Sequence, residues 1–225
     1  MLTSTPQTEY TYSSQELSHT YSYMLPQLLS LLPKSENKEI NERLNILDIG
    51  SGNGSLCYLL SQQGYRVTGV EPSLSGIKIA KNNFSNCKFL QASVYELPEV
   101  LHDRFDIVIA ADVIEHLFSP KELIKAARRC LKPDGTLIIT TPYHGYLKNL
   151  FLALSGKLDA HFTTLWEGGH IKFFSVDSLS KLLKLEDFSD INYAFAGRVP
   201  FVWKTMLCSS KPTFDSFENP LNVAK

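Results

Sequence analysis

The chain has 225 residues, 44% of them hydrophobic and 20% charged, with a formal net charge of −1. That length suits one domain with a substantial core, in the composition range of soluble globular proteins. A charge so near zero gives no global electrostatic reason to expect nucleic acid, and no apolar run approaches the roughly 20 residues of a membrane-spanning helix.

The first residues, Met1 to Thr20, are rich in Ser, Thr, Gln and Tyr and lack the basic and apolar regions of a signal peptide. Residues 1 to about 14 read as a polar lead. From Gln15 to Leu32 apolar positions recur at helical spacing, with Pro26 and Pro33 expected to interrupt and end the helix. Lys34 to Arg43 is a polar connection. Asn45 to Ile49 reads as a strand that breaks into Gly50-Ser51-Gly52-Asn53-Gly54, followed by a helix from Ser55 to Gln63. In a strand, glycine-rich turn and helix, backbone N–H groups and a helix N-terminus face a ligand at close range.

Tyr65 to Val70 is a second strand, ending in Glu71. A helix opens at Pro72-Ser73 and runs to about Phe84, and Lys88 to Gln91 reads as strand three. Strand four, Phe105 to Ala110, is almost wholly apolar, as a parallel strand buried on both faces should be. Pro120 starts a helix with one apolar stripe, Pro133-Asp134-Gly135 turns the chain, and Thr136 to Thr140 is strand five. Arg128, Arg129 and Lys132 form a small basic cluster, read as a solvated face. Tyr146 to Leu154 is a short amphipathic helix and Val176 to Leu185 a longer one. Ile191 to Ala196 and Val199 to Cys208 read as two final strands joined at Gly197-Arg198, and the tail from Ser209 looks loose. Strands alternating with helices at these intervals imply βαβ units and a doubly wound, mostly parallel sheet of seven strands.

With those motifs in order, the sequence resembles the class I S-adenosylmethionine-dependent methyltransferases. Asp48 to Gly54 is similar to their first motif and Glu71 to their ribose-binding acid. Phe105 to His116 (FDIVIAADVIEH) resembles their fourth-strand motif, and Leu131 to Thr140 the segment entering strand five. The resemblance spans roughly residues 40 to 195. It implies a Rossmann-like methyltransferase fold with an antiparallel edge strand and a helical lid insertion. It also implies S-adenosylmethionine as cofactor, held by Asp48, Gly50, Gly52, Gly54, Glu71, Pro72, Ser93, Val94, Ala111 and Asp112. Ser93 stands where the family usually carries an acid for the adenine amino group. In related enzymes a preceding helix caps the cofactor cleft, which would bring Tyr10, Tyr12 or His19 near the ligand.

Ligands in an open α/β sheet bind outside the C-terminal strand ends at the switch in strand order. By that rule the cleft is lined by 50–54, 71–72, 93–94, 111–116 and 141–145. Asp112, Glu115 and His116 form a pattern similar to one in ubiquinone-biosynthesis O-methyltransferases and small-RNA 3′-end methyltransferases, where it is associated with a divalent metal. If helical, the three share one face and could hold a cation. Otherwise Asp112 touches the cofactor while Glu115 and His116 are loop and capping residues, and no metal ligand is assigned. His116 or His170, the latter in a segment resembling the ubiquinone-pathway enzymes, is the expected base, and His144 is a further candidate.

The expected organisation is a capping segment over 1–40, a methyltransferase domain over 41–208 with a lid insertion at 143–174, and a tail from 209. Residues 143–174, too apolar for a solvated loop, read as a lid over an acceptor pocket, a dimer contact or an extra core layer, with a membrane-surface role a poorer fit. The four separated cysteines (Cys57, Cys87, Cys130, Cys208) favour a reducing cytoplasm without disulfides or a cysteine-based zinc site. The expected activity is methyl transfer to an oxygen, or less readily a nitrogen, of a small, partly apolar molecule by a monomer or homodimer. The alternatives are a non-catalytic binding module of the same fold and a nicotinamide-dependent oxidoreductase.

Overall fold

The computed structural model describes residues 10–17, 19–32, 44–162 and 165–213. Residues 1–9 of the polar lead, the whole 34–43 connection with Pro33 before it, and the tail from 214 therefore lie outside the described residues. Seven strands form one sheet in the order β3-β2-β1-β4-β5-β7-β6. They are β1 (Asn45–Ile49), β2 (Arg66–Glu71), β3 (Lys88–Gln91), β4 (Phe105–Ala111), β5 (Leu131–Pro142), β6 (Phe188–Ala196) and β7 (Thr205–Pro212). The first five pair in parallel, and β7 runs antiparallel between β5 and the edge strand β6. The fold is thus the Rossmann-like, doubly wound sheet expected, with its strand-order reversal between β1 and β4.

Side-chain alternation explains why both faces are covered. Leu47, Ile49, Val108, Ala110, Leu137 and Ile139 point into one core with α4 (Pro120–Cys130) and α7 (Val176–Leu185). Ile46, Ile107, Ile109 and Ile138 point into the other, against α1 (Tyr21–Leu31), α2 (Ser55–Gln62) and α3 (Leu74–Asn83). A strand with apolar residues on both faces has no solvated side, so helices must lie on each. All four cysteines are buried free thiols, small hydrophobes in these cores.

Four expectations need correction. The first helix starts at Tyr21, and Pro26 lies inside it instead of interrupting it. Burial of Met24 and Leu28 outweighs the one backbone hydrogen bond that the proline removes. The last strand starts at Thr205 rather than Val199 and continues through Pro212, so residues 209–212 are sheet, not loose tail. Their pairing is what holds them: Ser209 and Ser210 lie opposite Ile138 and Leu137. The basic cluster is tied down rather than merely solvated. Arg128 donates to Asp187 and to the Thr213 carbonyl, and Lys132 pairs with Asp106. Finally, α5 (Tyr146–Leu154) is inverted relative to an ordinary amphipathic helix. Its exposed side chains are Tyr146, Leu147, Leu150, Phe151 and Leu154, and its one buried residue is Lys148.

Candidate functional site

The glycine turn leaves β1 at the strand-order switch. Gly50 and Gly52 both have positive φ, which a side chain would strain. A Cβ on Gly50 would meet Val113 from the loop after β4 at 2.5 Å, and one on Gly52 would lie 2.8 Å from the Tyr12 hydroxyl. Gly54 is the left-handed N-cap of α2. The glycines thus let the β4 loop and the segment 10–17 close on the turn. That segment is pinned by Asn53, whose side-chain amide donates to the Ser14 and Glu16 carbonyls, and by the Tyr12 N–H, which donates to Ser75.

Glu71, buried at the end of β2, accepts from the Gly52 N–H with Oε2 and from the Ser73 N–H with Oε1, both at 2.9 Å. Burial raises its pKa, and these two donors pull the other way. Asp48 is buried beneath the turn. Its Oδ2 accepts from the Cys57 thiol, while its Oδ1 has no hydrogen-bond partner among the described residues. Burial pushes its carboxyl up to about 7. Pro72 is exposed, Ser93 accepts from the Tyr95 N–H, and Val94 is buried beside them. The Tyr10 ring packs at a tilt on Tyr12 and reaches Trp166 edge-on, whereas His19 is exposed and its carbonyl accepts from the Ser22 hydroxyl.

After β4, Ala111 ends the strand and Asp112 adopts a positive φ, so the expected helical face of Asp112, Glu115 and His116 does not form. Asp112 turns back to accept a hydrogen bond from the Thr140 hydroxyl at 2.8 Å. A short 3-10 turn over Ile114–His116 then buries Glu115 completely (0% exposed), with neither carboxylate oxygen hydrogen-bonded. Burial, and next the Asp112 carboxylate, hold its carboxyl well above the usual range. The Glu115 backbone N–H and the nearby Thr141 hydroxyl pull the other way.

The Glu115 carbonyl accepts from the N–H groups of Ile171 and Lys172, which draws the segment carrying His170 onto the turn. The His116 and His170 rings are 4.8 Å apart. His116 Nδ1 lies 2.9 Å from the Gly168 carbonyl and 3.2 Å from that of Gly169. Carbonyls only accept, so Nδ1 is the donor in these contacts, and Nε2 is the nitrogen left to face the site. Burial, then the neighbouring His116, lowers His170 to about 4, so it is a neutral imidazole. One ligand atom each from Glu115, His116 and His170 lie within 4.8 Å of one another. The candidate ligand set is therefore Glu115, His116 and His170, with Asp112 outside it. An unpaired buried carboxylate beside two imidazoles fits a borderline divalent cation.

His144, buried, has an unpartnered Nδ1 and packs against His161, Phe162 and Phe173. It is lowered to about 4, first by burial and then by Lys148. Sequence reasoning gave no site role to half-buried Tyr21, whose hydroxyl is raised first by burial and then by Asp48 and Asp112, nor to Lys148. A cavity of about 440 Å³ lies elsewhere, at Thr136, Asn192 and Ser210, and touches none of these residues.

A methyltransferase-domain family matches residues 17–192, and the chain belongs to it. It is 35% identical to a ubiquinone biosynthesis O-methyltransferase of Bradyrhizobium diazoefficiens over 148 residues, 62% of this chain and 56% of that protein. It is 36% identical to the mitochondrial ubiquinone biosynthesis O-methyltransferase of Rattus norvegicus over 50% of this chain and 35% of that one. The chain spans about half the length, or less, of these curated relatives. Among solved structures, the PH0226 protein of Pyrococcus horikoshii superposes with a TM-score of 0.63 at 22% identity, covering 86% of this chain and 90% of that one. Magnesium protoporphyrin IX methyltransferase of Synechocystis PCC 6803, solved with bound SAH, gives a TM-score of 0.57 at 20% identity over 76% and 74%. These two likenesses bear on the fold alone.

Proposed function

We propose that this chain transfers a methyl group from S-adenosylmethionine to an oxygen of a small, partly apolar acceptor, with a divalent cation at Glu115, His116 and His170. The observation that carries the reading is the packing of two unlike sites on one strand-order switch. The glycine turn with Glu71 lies on one side, Glu115 with the two histidines lies on the other, and Val113 touches Gly50 between them. The O-methyltransferase names of the relatives favour oxygen over nitrogen as acceptor.

The residues divide the work. Gly50 and Gly52 let the donor approach the backbone, and Glu71, already fastened at two points, offers its remaining lone pairs to ribose hydroxyls. The unpaired Oδ1 of Asp48 suits a cationic donor, because a buried acceptor atom left alone costs about 1–3 kcal/mol. Ser93 and Val94 flank the adenine position. A sulfonium is already an activated leaving group, so alignment of acceptor oxygen, methyl carbon and sulfur supplies most of the acceleration. A bound cation would supply positive charge that favours the ionised acceptor hydroxyl. As ligands, His116 would offer Nε2, because its Nδ1 faces the Gly168 and Gly169 carbonyls, and His170 one ring nitrogen; with no ion bound, either imidazole is placed to take the acceptor proton.

The test is mass spectrometry of the denatured protein for S-adenosylmethionine or S-adenosylhomocysteine, with calorimetry of the purified chain. Bound donor or product, and micromolar affinity for either, is the expected result. A correctly folded chain that binds neither, or that binds a nicotinamide dinucleotide instead, overturns the reading.

A further inference from the structure

Lys148 is the one buried residue of α5, 6% exposed on a helix that otherwise shows its apolar side chains to solvent. Its ammonium donates to the Tyr143 carbonyl at 2.7 Å and forms no ion pair with a carboxylate among the described residues. The charge that bears on it is another cation, Lys204, and Lys148 in turn opposes protonation of His144 and His161. The N-terminus of α5 adds positive character here, with Gly145 as N-cap, no side-chain cap and no acid in its first turn. His144, 7% exposed, contributes the unpartnered Nδ1. Burial and then Lys204 bring the amine down to about 8, so near neutral pH it is still mostly charged.

A buried ammonium with one carbonyl and no counter-charge is costly, because desolvation is not repaid. Resting on the methyltransferase reading, we propose that Lys148 receives a carboxylate on the methyl acceptor, so that the Lys148 and His144 side of the site selects acidic acceptors over neutral ones. The aromatic wall of Phe162 and Phe173 around His144 supplies the apolar contact for the body of such a molecule. The carboxylate then completes the charge balance that the described residues leave open.

The experiment compares two probes of one shape, 1-naphthoate and its neutral amide 1-naphthamide, by calorimetry on the full chain with S-adenosylhomocysteine present. A charge-assisted bond predicts that naphthoate binds about tenfold or more tighter than naphthamide. Lys148→Met should abolish that preference and leave affinity for S-adenosylhomocysteine within about twofold, as expected for a separate site. Lys148→Arg should retain a preference for the anion. Equal affinity of the wild-type chain for the two probes overturns the proposal without any variant, and so does a preference that survives in folded Lys148→Met. Because binding of S-adenosylhomocysteine is read in the same cell, its absence marks failure of the methyltransferase reading itself. Its presence without an anion preference marks failure of this proposal alone.

Discussion

Two glutamates are buried on either side of the same crevice, and they are treated in opposite ways. Glu71 has both oxygens occupied by backbone N–H groups of Gly52 and Ser73. Glu115, more deeply buried, has neither oxygen occupied. The first glutamate is part of the scaffold: it braces the glycine turn before any ligand arrives, and it has lone pairs to spare. The second is left incomplete by the described residues. Protonation can relieve the missing partners in the free chain, which is why its carboxyl is held so high. A cation would relieve them in the working state. On the proposed reading, the donor side is organised by the chain itself, whereas the acceptor side is completed by a ligand from outside.

Glu115→Gln should sharpen that contrast most. The amide keeps the shape and removes the anionic ligand, so methyl transfer should fall about hundredfold or more while affinity for S-adenosylmethionine stays within about twofold. Initial rates and calorimetry on one preparation check it. Loss of donor affinity instead would make Glu115 a brace like Glu71.

Glu71→Ala comes next. It removes charge-assisted bonds to the ligand and the clamp on the Gly52 N–H, so donor affinity should drop about tenfold or more. Unchanged affinity in a folded variant would take Glu71 off the ribose.

Asp48→Asn tests burial of a carboxylate with only one oxygen partnered on the donor side. A carboxyl whose folded pKa is raised to about 7 favours the folded state while it is protonated in both states. That advantage is lost as pH rises from about 4, the ordinary carboxylate value, through about 7. The variant should therefore match wild type near pH 4 and be more stable by about 1–3 kcal/mol at pH 8, with weaker donor binding. Urea titrations at the two pH values decide it; equal stability at both would mean that Asp48 is ionised without cost.

The smallest effect concerns α5. Leu154 is 81% exposed, so Leu154→Ser should change stability by less than about 0.5 kcal/mol. A larger loss would mean that the outward apolar face is covered in solution.

How much of this was legible in the sequence follows the same division. On the donor side each feature is local: a strand, three glycines at alternate positions, and an acid at the next strand tip. Periodicity and spacing therefore placed β1 to β4 and Glu71 to within a residue or two, whereas β5 starts at Leu131, five residues before the expected Thr136, because Leu131 already pairs with Phe105 across the expected turn. On the acceptor side the decisive contacts are long-range. His170 reaches His116 only because the N–H groups of Ile171 and Lys172 bond to the Glu115 carbonyl, across more than fifty residues. No spacing rule announces that pairing. The positive φ of Asp112, which turns it to Thr140 and out of the candidate ligand set, is equally invisible in a pattern that reads as one helical face. Residues 146–154 misled for a different reason. Helical periodicity identifies an apolar stripe but not which way it faces, and here the buried side is the one with the lysine.

The central claim is that Glu115, His116 and His170 are completed by a divalent cation. Its most direct measurement is calorimetric titration of metal-stripped chain with manganese and zinc, in parallel with Glu115→Gln and His170→Ala. The account predicts saturable binding of one ion per wild-type chain, weakened in both variants by about tenfold or more. Absence of binding in the wild-type chain, or equal binding in all three, would contradict it.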